Sequence, residues 1–156
     1  MDIDEFHTDI RVYIEDTDAG GIVYYVNYLK FMERARAELL RHLGFGKGAV
    51  LGDGKLLVVH SLNVSYKRAA RLDDLLTVTA KVIKLTRAAI IFEQKIYNAD
   101  ELLCEGTVKI ACVRPVLVEG DENEARERRE TMRPSALPDE MHHAILAIIG
   151  DNSAQI

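Results

Sequence analysis

LLTVTAKVIKLTRAAIIFEQKIYNADELLCEGTVKIAC, residues 75–112, carries the reading that decides the fold. Leu76, Val78, Ala80 and Val82 alternate with Thr77, Thr79 and Lys81. Ile90, Phe92 and Ile96 alternate with Glu93 and Lys95, and Cys104, Val108, Ile110 and Cys112 alternate with Glu105, Thr107 and Lys109. A period of two sends each apolar set to one face, which marks half-buried strands. Upstream, Leu62, Val64 and Tyr66 alternate with Ser61, Asn63 and Ser65 in the same way. Turns fall at Arg71–Asp74, Thr86-Arg87 and Asn98–Glu101, and strands joined by short links pair antiparallel. The expected sheet over 56–117 is therefore a meander. It has no crossover helices, which excludes a doubly wound parallel sheet.

Before this sheet the period is helical. Tyr28, Met32, Ala35, Leu39 and Leu43 recur at steps of four and three, with Leu29 and Leu40 widening the stripe and Arg34, Glu38 and Arg41 opposite. Asn27 is the expected cap of this helix and Gly44 its stop. Earlier still, Ile10, Val12 and Ile14 alternate with Arg11, Tyr13 and Glu15, giving a strand over 9–15. Asp16-Thr17-Asp18-Ala19-Gly20-Gly21 ends that strand and leads to the helix. One antiparallel sheet covered by one patterned helix is an α+β layer fold. The uncovered face and the sheet edges make self-association the natural expectation. Residues 119–133 are highly charged and are expected to form a flexible segment; 138–149 reads as a short closing helix.

With 156 residues the chain fits a single domain, 1–156. No apolar run is long enough to span a bilayer, so no membrane insertion is expected. Met1-Asp2-Ile3-Asp4-Glu5 is acidic where a targeting peptide would be basic, and Cys104 and Cys112 fit neither a zinc spacing nor a disulfide framework. A reducing cytoplasm suits such a chain. A net charge of -5 disfavours nucleic acid as a partner. Locally the balance reverses at Lys67, Arg68 and Arg71, with Arg87 further on. Such runs are usually solvated turns, and a phosphate-binding rim is the functional alternative.

Asp16 and Asp18 are the candidate chemical residues. A carboxylate in a loop just before a helix N-terminus can act as nucleophile or general base, and nearby backbone N–H groups can hold a developing oxyanion. Gly20 and Gly21 would let a substrate approach the backbone. Alone, Asp-x-Asp reads more simply as an Asx-turn. A calcium loop fails because Gly20 and Asn27 occupy its fifth and twelfth positions, where ligands are required. A phosphotransferase loop fails on the sheet type. The glycines at 44, 46, 48, 52 and 54 lack phosphate-loop spacing, and no serine, cysteine or zinc-protease motif is present. No metal is called for. His42, His60, His142 and His143 lie outside the aspartate loop, and Cys104 and Cys112 share a buried face as inert core residues.

The whole segment Arg11–Tyr28 (RVYIEDTDAGGIVYYVNY), with Phe31-Met32-Glu33-Arg34-Ala35-Arg36 and Tyr66-Lys67-Arg68-Ala69-Ala70-Arg71-Leu72-Asp73-Asp74, resembles the 4-hydroxybenzoyl-CoA thioesterase family, and most closely its Tol–Pal-associated acyl-CoA thioesterase branch. The likeness runs from about Ile10 to Pro115 and returns at Arg133–Pro138. It implies a hotdog fold, a sheet wrapped round a central helix, in a homodimer or homotetramer with sites at a subunit interface. It also implies hydrolysis of acyl-CoA thioesters, with coenzyme A as part of the substrate and no separate cofactor. Asp18 would be the catalytic carboxylate and the Tyr25 backbone N–H would polarise the carbonyl. Asp16, Gly21 and Tyr13 would line the substrate, and Lys67, Arg68, Arg71 and Arg87 would meet the nucleotide phosphates. Tyr25 stands where the branch often has His, which leaves a main-chain mechanism unaffected. A hydratase or dehydratase would want a His paired with a carboxylate in this loop, and an acyl-CoA binder without turnover is the third reading.

Overall fold

The computed structural model describes residues 5–46, 51–118 and 129–153. Strand β1 (His7–Arg11) leads through a single 3-10 turn (Ile14–Asp16) and the aspartate loop into helix α1 (Val26–His42). Strands β2 (Leu56–Tyr66), β3 (Leu75–Thr79), β4 (Lys81–Leu85), β5 (Ala89–Asn98), β6 (Glu101–Val118) and β7 (Arg129–Pro134) follow, then helix α2 (Asp139–Ser153). Among the described residues, these seven strands form one antiparallel sheet in the order β1-β3-β5-β6-β2, with β4 also on β5 and β7 also on β6. The expected α+β layer fold is the observed one.

Helix α1 lies on one face of this sheet. Phe31, Met32, Ala35 and Leu39 are buried against Leu76, Val78, Ile90, Phe92 and Ile96, the period-two set of the strands. Gly44 stops the helix as expected, at φ +98. A polar pair, Arg36 and Gln94, sits inside this layer, and among the described residues no buried side-chain polar atom is left without a partner. Arg36 donates to Gln94 Oε1 at 2.8 Å, and Gln94 Nε2 donates to the carbonyls of Met32 and Thr79 at 2.9 and 3.1 Å. Burial lowers the Arg36 pKa, and the nearby Glu33 charge partly offsets this.

The sheet departs from a simple meander in two places. The strand expected over 76–82 breaks at Ala80 into β3 and β4, which pair with successive halves of β5. Side chains replace the ladder there, since Lys95 N–H donates to Thr79 Oγ1 at 2.9 Å. Strand β2 pairs with β6 rather than with its successor β3. The eight residues 67–74 that join β2 to β3 can reach ~26 Å, and three strand spacings need only ~14 Å, so the crossing is cheap for the chain. The strand expected over 9–15 ends at Arg11, and Ile14 is 77% exposed rather than inward.

The flexible segment expected over 119–133 is corrected at its end: 129–133 belong to β7, which pairs with Val113–Val118 of β6. Charge-rich composition concealed it because an edge strand is held by backbone bonds and need not bury its side chains. Residues 119–128 lie outside the described residues. Helix α2 packs Met141 and Ile145 into the same core. Among the described residues, no helix is long and apolar enough to cross a membrane.

Candidate active site

Residues 16–24 form a tight hairpin. Tyr24 N–H donates to the Asp16 carbonyl at 3.0 Å, Asp18 N–H to the Ile22 carbonyl at 2.9 Å, and Gly21 N–H to the Asp18 carbonyl at 3.0 Å. Gly21 has φ +77, a conformation that costs a residue with a Cβ about 1–2 kcal/mol. Gly21 therefore makes the turn, and its N–H is already used there. Val23 N–H donates to the Ala70 carbonyl at 2.9 Å, and Ile22 bridges Arg71, so the β2–β3 link braces the loop from one side.

The two aspartates differ in what their carboxylates do. Asp16 Oδ2 accepts the Tyr13 N–H at 2.9 Å and closes the 3-10 turn. Asp18 Oδ1 accepts the Gly20 N–H at 2.8 Å, the Asx-turn that local sequence suggests. The second Asp18 oxygen has no partner among the described residues, and the side chain is exposed. Tyr25 enters α1 with helical angles and no side-chain cap. Its N–H finds no acceptor among the described residues, as is usual for the first donors of a helix. A free carboxylate oxygen and an orphan N–H thus flank one short segment, with the helix dipole favouring negative charge at the second. The expected cap, Asn27, lies inside the first turn instead, because Tyr25 already has helical angles.

An aromatic cluster borders this segment. The Tyr25 ring meets those of Tyr24 and Tyr66 at 5.1 and 6.0 Å, and Tyr66 meets Tyr28 at 5.7 Å. Tyr28 Oη accepts the Ala70 N–H at 2.9 Å, and burial pushes the phenol pKa of Tyr28 up. Tyr13 is 62% exposed, on the 3-10 turn beside Asp16. Among the described residues, no histidine side-chain contact reaches this loop: His7 meets Glu5, His42 meets Phe6 and His60 meets Ser61. Both cysteines are buried and unbridged, and burial pushes the Cys104 thiol up to about 12.

The basic residues divide into two groups. Lys67 and Arg68 follow β2, their N–H groups on the Leu103 carbonyl, with side chains in exposed pairs to Glu105 and Glu101 at 3.5 and 3.1 Å. Such pairs are weak and are readily exchanged for a phosphate. Arg71 lies two strand spacings from Asp18 by way of Ile22, about 10 Å in backbone terms. Arg87 is not brought to them. It sits beside Ala88, whose carbonyl accepts from Cys112, and nine residue steps along β6 separate Cys112 from Leu103, roughly 30 Å. There it joins residues that sequence reasoning missed. Arg114 stands directly opposite Arg133 in the β6–β7 register, and Lys55 Nζ donates to the nearby Ala136 carbonyl at 2.7 Å. Like charges in facing positions repel, so the second group suits an anion. Only the strand register reveals it.

A separate apolar recess of about 160 Å³, walled by Leu40, Phe45, Leu57, Val59 and Ile110, lies along the C-terminal half of α1. It is ~20 Å along that helix from Tyr25.

The chain is similar to known proteins in sequence and in fold. A family model described as Thioesterase superfamily matches residues 20–105, beginning just past Asp18. The Acyl-CoA thioester hydrolase YbgC of Escherichia coli O6:H1 is 39% identical over 134 residues, covering 85% of this chain and 90% of that one. The Acyl-CoA thioesterase YbgC of Haemophilus influenzae is 48% identical over 109 residues, 69% of this chain and 80% of its own. Among solved structures, the DHNA-CoA thioesterase from Staphylococcus aureus superposes with TM-score 0.79 at 25% identity, covering 96% and 94% of the two chains. The sheet laid on α1 is thus the hotdog arrangement of these enzymes, and the chain belongs to the Thioesterase superfamily.

Proposed function

We propose that this chain hydrolyses a short-chain or aromatic acyl-CoA to the free acid and coenzyme A, using Asp18 as nucleophile or general base. The observation that carries the reading is the open Asp18 oxygen in the loop that leads to the unpaired Tyr25 N–H at the start of α1, in a chain of the Thioesterase superfamily. The carbonyl oxygen of the thioester would take the Tyr25 N–H and gain stabilisation as it becomes an oxyanion. Asp18 would attack the carbonyl carbon to give a mixed anhydride that water then cleaves, or would take a proton from the attacking water. In either route coenzyme A leaves as a thiolate. A thiol pKa of about 8.5 lets it depart without a general acid, so one carboxylate suffices. That suits a loop to which no histidine among the described residues is joined.

The placement within the family is the 4-hydroxybenzoyl-CoA, Tol–Pal-associated branch, on the strength of the Arg11–Tyr28 segment. The working form is a homodimer or homotetramer with interface sites. Strand β2 supports this, since it is an edge strand, and Val59, Leu62 and Tyr66 are about half exposed opposite buried Ile110, Val108 and Cys104. Lys67, Arg68 and Arg71 would bind coenzyme A phosphates beside Asp18, while Arg87, with Arg114 and Arg133, would do so from a second copy. Buried, unbridged cysteines suit a cytoplasmic setting.

Free-thiol release from a panel of short aliphatic and aromatic acyl-CoAs tests the activity. Turnover of at least one member is expected, and saturable binding with no turnover on any would replace the hydrolase with an acyl-CoA binder. Light scattering on a size-exclusion column tests assembly, where a clean monomer would remove the interface-site model.

A further inference from the structure

We infer that Asn27 is a positioning residue for the thioester hydrolysis proposed above, holding the hairpin arm that carries Asp18 and the Tyr25 N–H at their working separation. The inference rests on that reading. Its ground is how the aspartate hairpin is fastened to helix α1. Within the hairpin, the bonds from Tyr24 to Asp16 and from Asp18 to Ile22 fix the two arms to each other. They leave the angle between the hairpin and the helix unspecified. Asn27 supplies that link: its Nδ2 donates to the Asp16 carbonyl at 2.8 Å, across eleven residues of sequence.

The Asp16 carbonyl is thereby held from two directions, by Tyr24 N–H from the adjoining arm and by the Asn27 amide from the first helical turn. The Asn27 backbone is anchored as well, its N–H donating to the Tyr24 carbonyl at 2.8 Å. A closed figure results, running Asp16, Tyr24, Tyr25, Asn27 and back to Asp16, with Tyr25 as one of its sides and Asp18 two residues beyond its corner. Asn27 is only 8% exposed, so water has little room to replace its amide if the side chain is cut back. Helix capping does not explain it, because the side chain points away from the helix N–H groups to a carbonyl of the loop.

The consequence is kinetic. A catalytic carboxylate and an oxyanion donor carried on different elements act together only while their spacing holds, and a shift of about 1 Å can cost about a hundredfold in rate. Coenzyme A binding through the basic residues does not pass through this link. Loss of the Asn27 amide should therefore lower kcat and leave KM nearly unchanged.

The test uses the full chain and the acyl-CoA that wild type hydrolyses fastest. Asn27→Leu keeps the side-chain size and removes the donor, while Asn27→Ser restores a shorter donor. The expected result is a kcat reduced about 10- to 100-fold in Asn27→Leu at a KM within about twofold, with partial recovery in Asn27→Ser. Wild-type kcat in folded Asn27→Leu, or a change confined to KM, would overturn the inference while leaving the hydrolase reading intact. Should Asn27→Leu fail to fold, Asn27→Ser decides: a lowered kcat at constant KM supports the role and an unchanged kcat refutes it. A wild type inactive on the whole panel would overturn the hydrolase reading, and this inference with it.

Discussion

Replacing Asp18 by Asn keeps the shape of the side chain and removes its charge. The folded chain has little to lose by the change. Asp18 is exposed, makes no ion pair among the described residues, and accepts one hydrogen bond, from Gly20 N–H at 2.8 Å, which an amide oxygen also accepts. Exchanging a charge-assisted bond for a neutral one in water should cost under about 1 kcal/mol, a melting shift of roughly 2–4 °C at this chain length. The chemistry has far more to lose. An amide neither attacks a thioester usefully nor takes a proton from water, and a positioned general base is worth about 10²–10⁴ in rate. At 1.36 kcal/mol per tenfold, that is about 2.7–5.4 kcal/mol of transition-state stabilisation, several times the structural effect. Thiol release should be measured for kcat and KM separately, with a thermal melt on the same sample. The expected outcome is a kcat lower by at least about a hundredfold with a near-normal melt. If folded Asp18→Asn keeps wild-type kcat, Asp18 is only the opening residue of an Asx-turn and the mechanism is wrong.

Three further perturbations have defined outcomes. A Cβ at Gly20 would stand 3.2 Å from Asp18 Oδ1, so Gly20→Ala must displace the carboxylate by a few tenths of an ångström; kcat should fall by roughly 3- to 30-fold at an unchanged melt, and full activity would show that the carboxylate position is not critical. Gln94→Leu strips Arg36 of its acceptor and should destabilise the fold by about 3–5 kcal/mol in denaturant titrations, with much of the loss recovered in Arg36→Met/Gln94→Leu; a double variant as weak as the single one would contradict this. Burial holds the Cys104 thiol at about 12, so the folded chain keeps a proton that an unfolded thiol releases near pH 8.5. Its contribution is whole below about pH 8.5 and declines as pH rises toward 12, so the fall in stability between pH 9 and 11 should be shallower in Cys104→Val, and an equal slope would refute the assignment.

The strands and α1 were legible because each is written in a local period. Leu76 and Val78, Ile90 and Phe92, and Met32 and Leu39 are buried where their spacing puts them. Strand β7 was not legible, since Arg129–Pro134 has neither apolar alternation nor a turn signal and owes its existence to the length of β6. Asn27 was misread for a related reason. Its residue type favours a cap, but a buried amide takes whichever carbonyl the tertiary fold offers, and here that is Asp16. The pairing of Arg114 with Arg133, like the distance of Arg87 from Lys67, depends on a register that no neighbouring residue encodes.

By itself, then, the sequence determined the α+β class, the span of α1, the inward faces of the main strands and the loop that carries Asp18. Each follows from interactions between residues a few positions apart. Only the tertiary structure decided that β2 lies beyond β6 and that β3 and β4 part at Ala80. Those outcomes turn on which distant backbone groups meet. Neighbouring side chains contribute little to that choice, and the shared core and the full ladder of hydrogen bonds settle it together.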